Sequence, residues 1–383
     1  MKVGIQTIVD YNNYGNRLQN YAMQTILESY GFNVVTLKNN FINDKFQMKN
    51  KQEPVYLKIL SLIKKRELIK KIKDKIDHKK KQNLFNTIDK KRSENFRLFT
   101  QNYIKETDII FDVTNQDRLD ELCDVDFFVI GSDQVWNYSF PRFSDFDFLL
   151  TTTKPKISYA ASFGVSNVPN DLNVFYAKGL NSLLYISVRE KSGKNIVERL
   201  SEKKADVVLD PTLLLDKKQW EALISKNKQY KEPFILTYFL NSPDAQTDKY
   251  IKNVAQKNNF RIKSLGSRED EEMWTIDPSE FVNLFSQAQA IFTDSFHACV
   301  FSIIFEKYFE IFERNTHYPS MNSRIDTLLS DLSLEDRWHE GNNGIYDIDY
   351  STVAKKLSAR RQESFRFLDT CLEEILSKGD LKL

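Results

Sequence analysis

A chain of 383 residues with 41% hydrophobic and 28% charged content is too long for one ordinary core and too apolar to be disordered, so it predicts a two-domain globular protein. No stretch approaches the roughly 18–20 apolar residues of a membrane span. The net charge of +2 hides an asymmetry: between Lys45 and Arg97 there are 18 basic and 6 acidic residues, which leaves the remainder at −10.

The opening KVGIQTIV reads as a strand rather than a signal peptide, since Gly4, Gln6 and Thr7 interrupt it. After the turn DYNNYGN the spacing predicts a helix from about Arg17 to Tyr30, with Leu18, Tyr21, Ala22 and Thr25 on one face, Asn16 as its cap and Gly31 at its end. FNVVTL is the next strand, which completes an opening βαβ half. The basic segment at about 45–100 then intervenes and reads as two or three helices. Ile59, Leu62, Ile63, Ile69, Ile72 and Ile76 fall on one broad face of it. Such a helix suits either peripheral contact with anionic lipid through residues 45–97 or a solvated insertion. It does not suit nucleic acid, because IKKRELIKKIKDKIDHKKK has no aromatic residue for stacking.

Strands resume at DFFVIGSDQ, KISYAAS, LLYISVRE and ADVVLDPTLLL, with helices near 171–183 and 192–201. Pro211 and DKKQW mark a domain joint. The alternation restarts with PFILTYF, a helix around 246–257, FRIKSL, a helix around 278–287, AIFTDS, an apolar helix 296–305 and YFEIF, and a long amphipathic helix from about Ser351 to Leu376 closes it. The expected fold class is therefore α/β: two doubly wound domains facing across a cleft, over 1–215 and 216–350, with the helix of 351–383 packing back on them. In such sheets ligands bind at the carboxyl ends of strands.

Candidate site residues sit at that address. Arg17, Arg189 and Arg324 each fall at a strand end or helix start, where guanidinium forks suit an anion carrying carboxylate or phosphate. Ser295 can cap the helix that holds His297 in its first turn, where the positive dipole end depresses an imidazole pKa. His297 is open to a structural role or to proton transfer. VIGSDQVWN brings Ser132, Asp133, Gln134, Trp136 and Asn137 to the end of a buried-looking strand, where small polar groups need partners.

Several classes find no support. Neither a CxxC pair nor an HExxH motif appears, so no metal is expected. The absence of GxGxxG and GxxxxGK[ST] argues against a dinucleotide or P-loop site. DFD (145–147) resembles a DxD metal motif, but DVD and DID occur as well. Cys123, Cys299 and Cys371 are widely spaced and odd in number, and they read as reduced cytoplasmic thiols.

NYGNRLQNYAMQ (13–24), GSDQVWN (131–137), YAASFG (159–164), ISVREKSG (186–193), VLDPTLLL (208–215), TDSFHACVFSI (293–303) and MNSRIDTLL (321–329) together resemble the polysaccharide pyruvyl transferase family. The resemblance implies a GT-B-like pair of Rossmann-type domains. It also implies transfer of the pyruvyl group of phosphoenolpyruvate, as co-substrate, onto two hydroxyls of a sugar or lipid-linked oligosaccharide, with no cofactor, on the cytoplasmic side of the membrane. On that basis Arg189, Arg324, Ser295 and Arg17 are expected at the donor. His297 would bind phosphate or manage the proton, and Asp133 would deprotonate the attacking hydroxyl. Ser132, Gln134, Trp136 and Asn137 would line the acceptor side, with Trp136 as the platform for a sugar ring. Where many members have Gly after the histidine, this chain has Ala298. A GT-B nucleotide-sugar glycosyltransferase and a non-catalytic, membrane-associated scaffold are the alternatives.

Overall fold

The computed structural model describes residues 1–41, 65–224, 228–314, 322–341 and 347–379, with side chains of the first long helix described from residue 84. Seven parallel strands form the first sheet: β1 (Lys2–Gln6), β2 (Asn33–Asn39), β3 (Glu106–Phe111), β4 (Phe127–Ile130), β5 (Lys156–Ala161), β6 (Ile186–Val188) and β7 (Ala205–Val207). Their spatial order is β3-β2-β1-β4-β5-β6-β7. Four more strands form a second parallel sheet in the order β11-β10-β8-β9: β8 (Phe234–Tyr238), β9 (Arg261–Leu265), β10 (Ala290–Thr293) and β11 (Tyr308–Ile311). All residues of β4, β5, β8, β10 and β11 are buried, as expected where helices cover both faces of a parallel sheet. These are two Rossmann-like domains in the GT-B manner.

Strand order reverses at the β1/β4 pair, so the loops leaving these two strands diverge and open a crevice at their carboxyl ends. The helix after β1, Tyr14–Ser29, is capped by Asn13, whose side chain accepts the Asn16 N–H. The cap expected at Asn16 lies three residues too late. Asn16 is instead buried, accepting the Asp10 N–H and reaching Asp133.

The domains share a continuous apolar core rather than a wet seam. Tyr14 stacks on Phe281 at 4.5 Å, and Trp220 packs between Tyr21 and Phe301. Two helices strap the domains together. Within the basic segment Lys65–Tyr103 forms one helix of 39 residues, and the rest of the stretch expected to hold two or three helices lies outside the described residues. Arg92 on this helix donates to the Tyr14 hydroxyl, the Asn12 carbonyl and the Trp274 carbonyl, and Asn95 donates to the Thr275 carbonyl. The last helix, Tyr350–Gly379, returns to the first domain, where Arg360 binds the Val207 carbonyl and Tyr30 donates to Asp369.

β3 is a sheet-edge strand whose exposed Ile109 and Ile110 give no clean alternation, and the sequence reading passed over it. Of the predicted amphipathic face, Ile59, Leu62 and Ile63 lie outside the described residues. None of the described helices is long and apolar enough to cross a membrane. The three cysteines are free and buried.

Candidate active site

The loop after β4 starts the site. Asp133 holds a left-handed backbone (φ 65°), which a short carboxylate side chain tolerates better than most residues. Its Oδ1 accepts from Arg189, which follows β6, at 2.7 Å. The other arm of Arg189 donates to Asp210 Oδ2, also at 2.7 Å, and Ser132 Oγ lies 2.8 Å from the same oxygen. Asp210 is fixed in turn by the Thr212 N–H and hydroxyl. Burial favours the neutral form of both carboxyls, but Arg189 leads the effects that outweigh it and hold both below the usual range; Arg324 adds to the effect on Asp133, and the Thr212 hydrogen bonds to that on Asp210. Arg189 is thus a buried cation matched by two buried anions.

The second domain faces this cluster with the helix Phe296–Ile304. The Ser295 side chain makes no cap hydrogen bond, so it takes none of that helix's first-turn N–H groups. His297 lies against the backbone of the first helix. Its Nε2 has no hydrogen-bond partner and sits 4.0 Å from Asp210 Oδ2, too far for one. Burial pushes its pKa down to about 4, further than the carboxylates can raise it. The imidazole is therefore neutral at physiological pH.

Arg324, at the start of the helix Ser323–Leu332, is 4% exposed. No described residue makes a hydrogen bond or ion pair to it, and its Nε is buried without a partner. Its guanidinium carbon lies 5.7 Å from the Phe296 ring centroid, and Arg189 covers the same ring at 4.8 Å. Burial and the like charge of Arg189 lower its pKa to about 9. Arg314, just beyond β11, donates to the Asp294 carbonyl, and its Nε lies 3.3 Å from Asp294 Oδ2 out of hydrogen-bond alignment.

These groups surround one interdomain cavity of about 390 Å³. Asp133, Gln134 and Arg142 line it from the first domain, and Ser295, His297, Arg314 and Arg324 from the second. Arg189 stands behind Asp133 as the neighbouring layer. Four predicted residues lie elsewhere. Arg17 is fully buried in an ion pair with Glu106 at 2.9 Å and donates to the Ile8 carbonyl, so it does not line this cavity. Trp136 is fully buried, stacked on Phe148 at 5.2 Å with its indole N–H on the Asp147 carbonyl, and offers no face to a sugar. Ser132 points at Asp210 and the Ala160 carbonyl. Asn137 braces the Gln134 amide at 2.9 Å instead of lining the cavity. Asp133 does line it, but a carboxylate held this acidic by Arg189 is a poor base.

Asp210 and Glu190 belong to the sequence motifs yet were not assigned roles. Burial pushes Glu190 up, and its Oε2 has no partner. Arg314 and Arg142 fall outside the motifs; a cation just past a strand end, the signal that marked Arg189, would have found Arg314. Gly15 was missed because its role is a void. A Cβ there would lie 2.0 Å from His297 Nδ1. We therefore expect Gly15→Ala to displace the imidazole and lower turnover by roughly 10²-fold, the scale of a misplaced catalytic group. A kinetic comparison with wild type at matched folding checks this.

A two-domain α/β protein with a cationic cavity between Rossmann-like halves is the class this geometry defines. The polysaccharide pyruvyl transferase family model matches residues 13–313, and the chain belongs to that family. Among solved structures, UDP-GlcNAc 2-epimerase from Methanocaldococcus jannaschii is similar at 11% identity and TM-score 0.47, over 94% of this chain and 92% of that one. S. aureus MnaA with UDP has 11% identity and TM-score 0.46, over 93% and 87%. E. coli ADP-heptose LPS heptosyltransferase II has 9% identity and TM-score 0.37, over 95% and 99%. No curated protein sequence matches the chain.

Proposed function

We propose that this chain transfers the pyruvyl group of phosphoenolpyruvate onto two hydroxyls of a sugar in a glycan precursor, forming a ketal and releasing phosphate. The observation that carries this reading is Arg324, a buried guanidinium with no hydrogen-bonded or ion-paired partner among the described residues, on the wall of a cavity that Arg314 and the open helix start also face. Burying an unpaired charge is costly, and a small polyanion removes that cost. Phosphoenolpyruvate presents a carboxylate and a phosphate within a few bonds of each other, which suits two arginine forks and a helix start.

In this reading C3 of the donor gains a proton and C2 becomes electrophilic. One sugar oxygen bonds to C2 and its proton departs. The C2–O bond to phosphate then breaks, and the second sugar oxygen closes the ring as it loses its proton. Of the two hydroxyl hydrogens, one balances the proton on C3 and the other leaves with phosphate. Neutral His297 is placed to accept a proton and, once an anion sits beside it, to return one. Gln134, braced by Asn137, faces the acceptor. Gly164 makes room for this pair, since it has φ 64° and a Cβ there would lie 1.9 Å from Gln134 Oε1.

The test is incubation with phosphoenolpyruvate and candidate glycan acceptors, read by mass spectrometry. A gain of one pyruvate less water, with phosphate released in equal amount, is expected. Stabilisation by UDP-sugars but not by phosphoenolpyruvate would overturn the reading in favour of glycosyl transfer.

A further inference from the structure

A second and larger cavity, of about 610 Å³, lies beside the donor cavity, against the ends of β2 and β3 and the helix Lys65–Tyr103. The loop after β1 separates the two: Ile8 and Asp10 line the donor side, and Val9 and Tyr11 line this one. Asn39 joins them. It lines the second cavity, donates to the Thr7 carbonyl, and accepts at 3.3 Å from Arg142, which lines the first.

The charge of this cavity is unbalanced. The one carboxylate among its described lining residues, Glu106, is already taken by Arg17 at 2.9 Å and by the Tyr11 hydroxyl at 2.7 Å. Lys38 and Arg97 also line it, and neither has a carboxylate partner among the described residues. Arg97 lies over the Tyr11 ring, 4.3 Å from its centroid, and no described residue holds it more strongly than that ring. Ile110 on the same wall is 53% exposed. Two free cations, an aromatic face and an apolar wall describe a binding site for an anionic ester with an organic body.

We propose that this cavity is the acceptor subsite, in which Lys38 and Arg97 hold the diphosphate that links the acceptor sugar to its carrier while the sugar reaches past Asn39 into the donor cavity. The proposal rests on the pyruvyl-transfer reading for its sense but not for its test. Arg97 belongs to the basic insertion, so that segment supplies part of the acceptor site. A diphosphate fits better than a single carboxylate because two separate cations await it, and a guanidinium and an ammonium together match two phosphoryl groups.

The experiment is isothermal titration of the full chain with inorganic pyrophosphate, UDP, farnesyl diphosphate and glucuronate, with phosphoenolpyruvate present at saturation. Pyrophosphate and at least one organic diphosphate should bind, and Arg97→Ala and Lys38→Ala should each weaken them at least tenfold. Arg97 is exposed and Lys38 half-buried, and unchanged phosphoenolpyruvate binding in the same variants shows that they fold. Arg324→Ala should do the reverse, removing phosphoenolpyruvate binding and sparing pyrophosphate. Tighter binding of farnesyl diphosphate than of UDP assigns an isoprenoid carrier, and the opposite order assigns a nucleotide; either supports the site while Arg97 dependence holds. Pyrophosphate binding that is absent, or that follows Arg324 and ignores Arg97 and Lys38, overturns the proposal, as does preference for glucuronate. If phosphoenolpyruvate fails to bind but Arg97-dependent diphosphate binding persists, the donor assignment fails and this site stands.

Discussion

Arg324→Met is expected to abolish stabilisation by phosphoenolpyruvate while leaving the unliganded protein as stable as wild type or more so. Arg324 is buried with no carboxylate at ion-pair distance among the described residues, and burial and the like charge of Arg189 outweigh the attraction of Asp133 and Glu190. Replacing it with a flexible apolar side chain keeps most of the packing and removes a buried charge that its surroundings compensate only in part. On ligand binding the sign reverses. Two charge-assisted hydrogen bonds at about 1.5–3 kcal/mol each amount to roughly 10²–10⁴-fold in affinity. Arg189→Met provides the contrast. It strands Asp133 and Asp210 as buried anions, and breaking a buried pair costs about 3–5 kcal/mol. Two arginines on one site should thus move the unliganded melting temperature in opposite directions. Thermal denaturation of both variants, with and without phosphoenolpyruvate, reads this directly. A strong loss of unliganded stability in Arg324→Met would show that the guanidinium has a structural partner and would remove the main support for an anion site.

The contrast bears on what a sequence can disclose. Arg189, His297 and Arg324 were legible because each stands where an α/β strand ends or a helix starts, and the fold brings such places together. The same rule misled at Arg17. Its guanidinium turns back under the loop to Glu106 on β3, an edge strand too irregular to be predicted, so the partner that neutralises it was invisible. Trp136 misled for a related reason. A lone indole among small polar residues resembles a sugar platform, but Phe148, Phe163 and Tyr176 gather from distant segments to enclose it. The void at Gly15 and the double anchoring of Arg189 are properties of packing and leave no spacing signal.

The balance of charges also decides how the site should respond to acid. His297 has a folded pKa of about 4, against an ordinary value near 6.5. Between these values the unfolded chain binds a proton that the folded one refuses. Stability therefore falls as pH drops from about 6.5 to about 4, and the gap of some 2.5 units corresponds to about 3 kcal/mol. Glu190, Asp147 and Asp294 work in the opposite sense, since burial raises them and the folded state takes up their protons early. Asp133 and Asp210 are held low, so their contribution is lost only as pH falls below the ordinary carboxylate range. The difference between wild type and His297→Gln isolates the histidine. The variant should lose less stability than wild type across that window and match its slope above pH 7. An anion bound beside a neutral imidazole raises its pKa, so phosphoenolpyruvate affinity should climb with falling pH in wild type and stay flatter in His297→Gln. Equal acid sensitivity in both proteins would mean that His297 is already charged in the unliganded state. It could then serve as a phosphate ligand from the outset, but it could not be the group that takes up a proton when the donor binds.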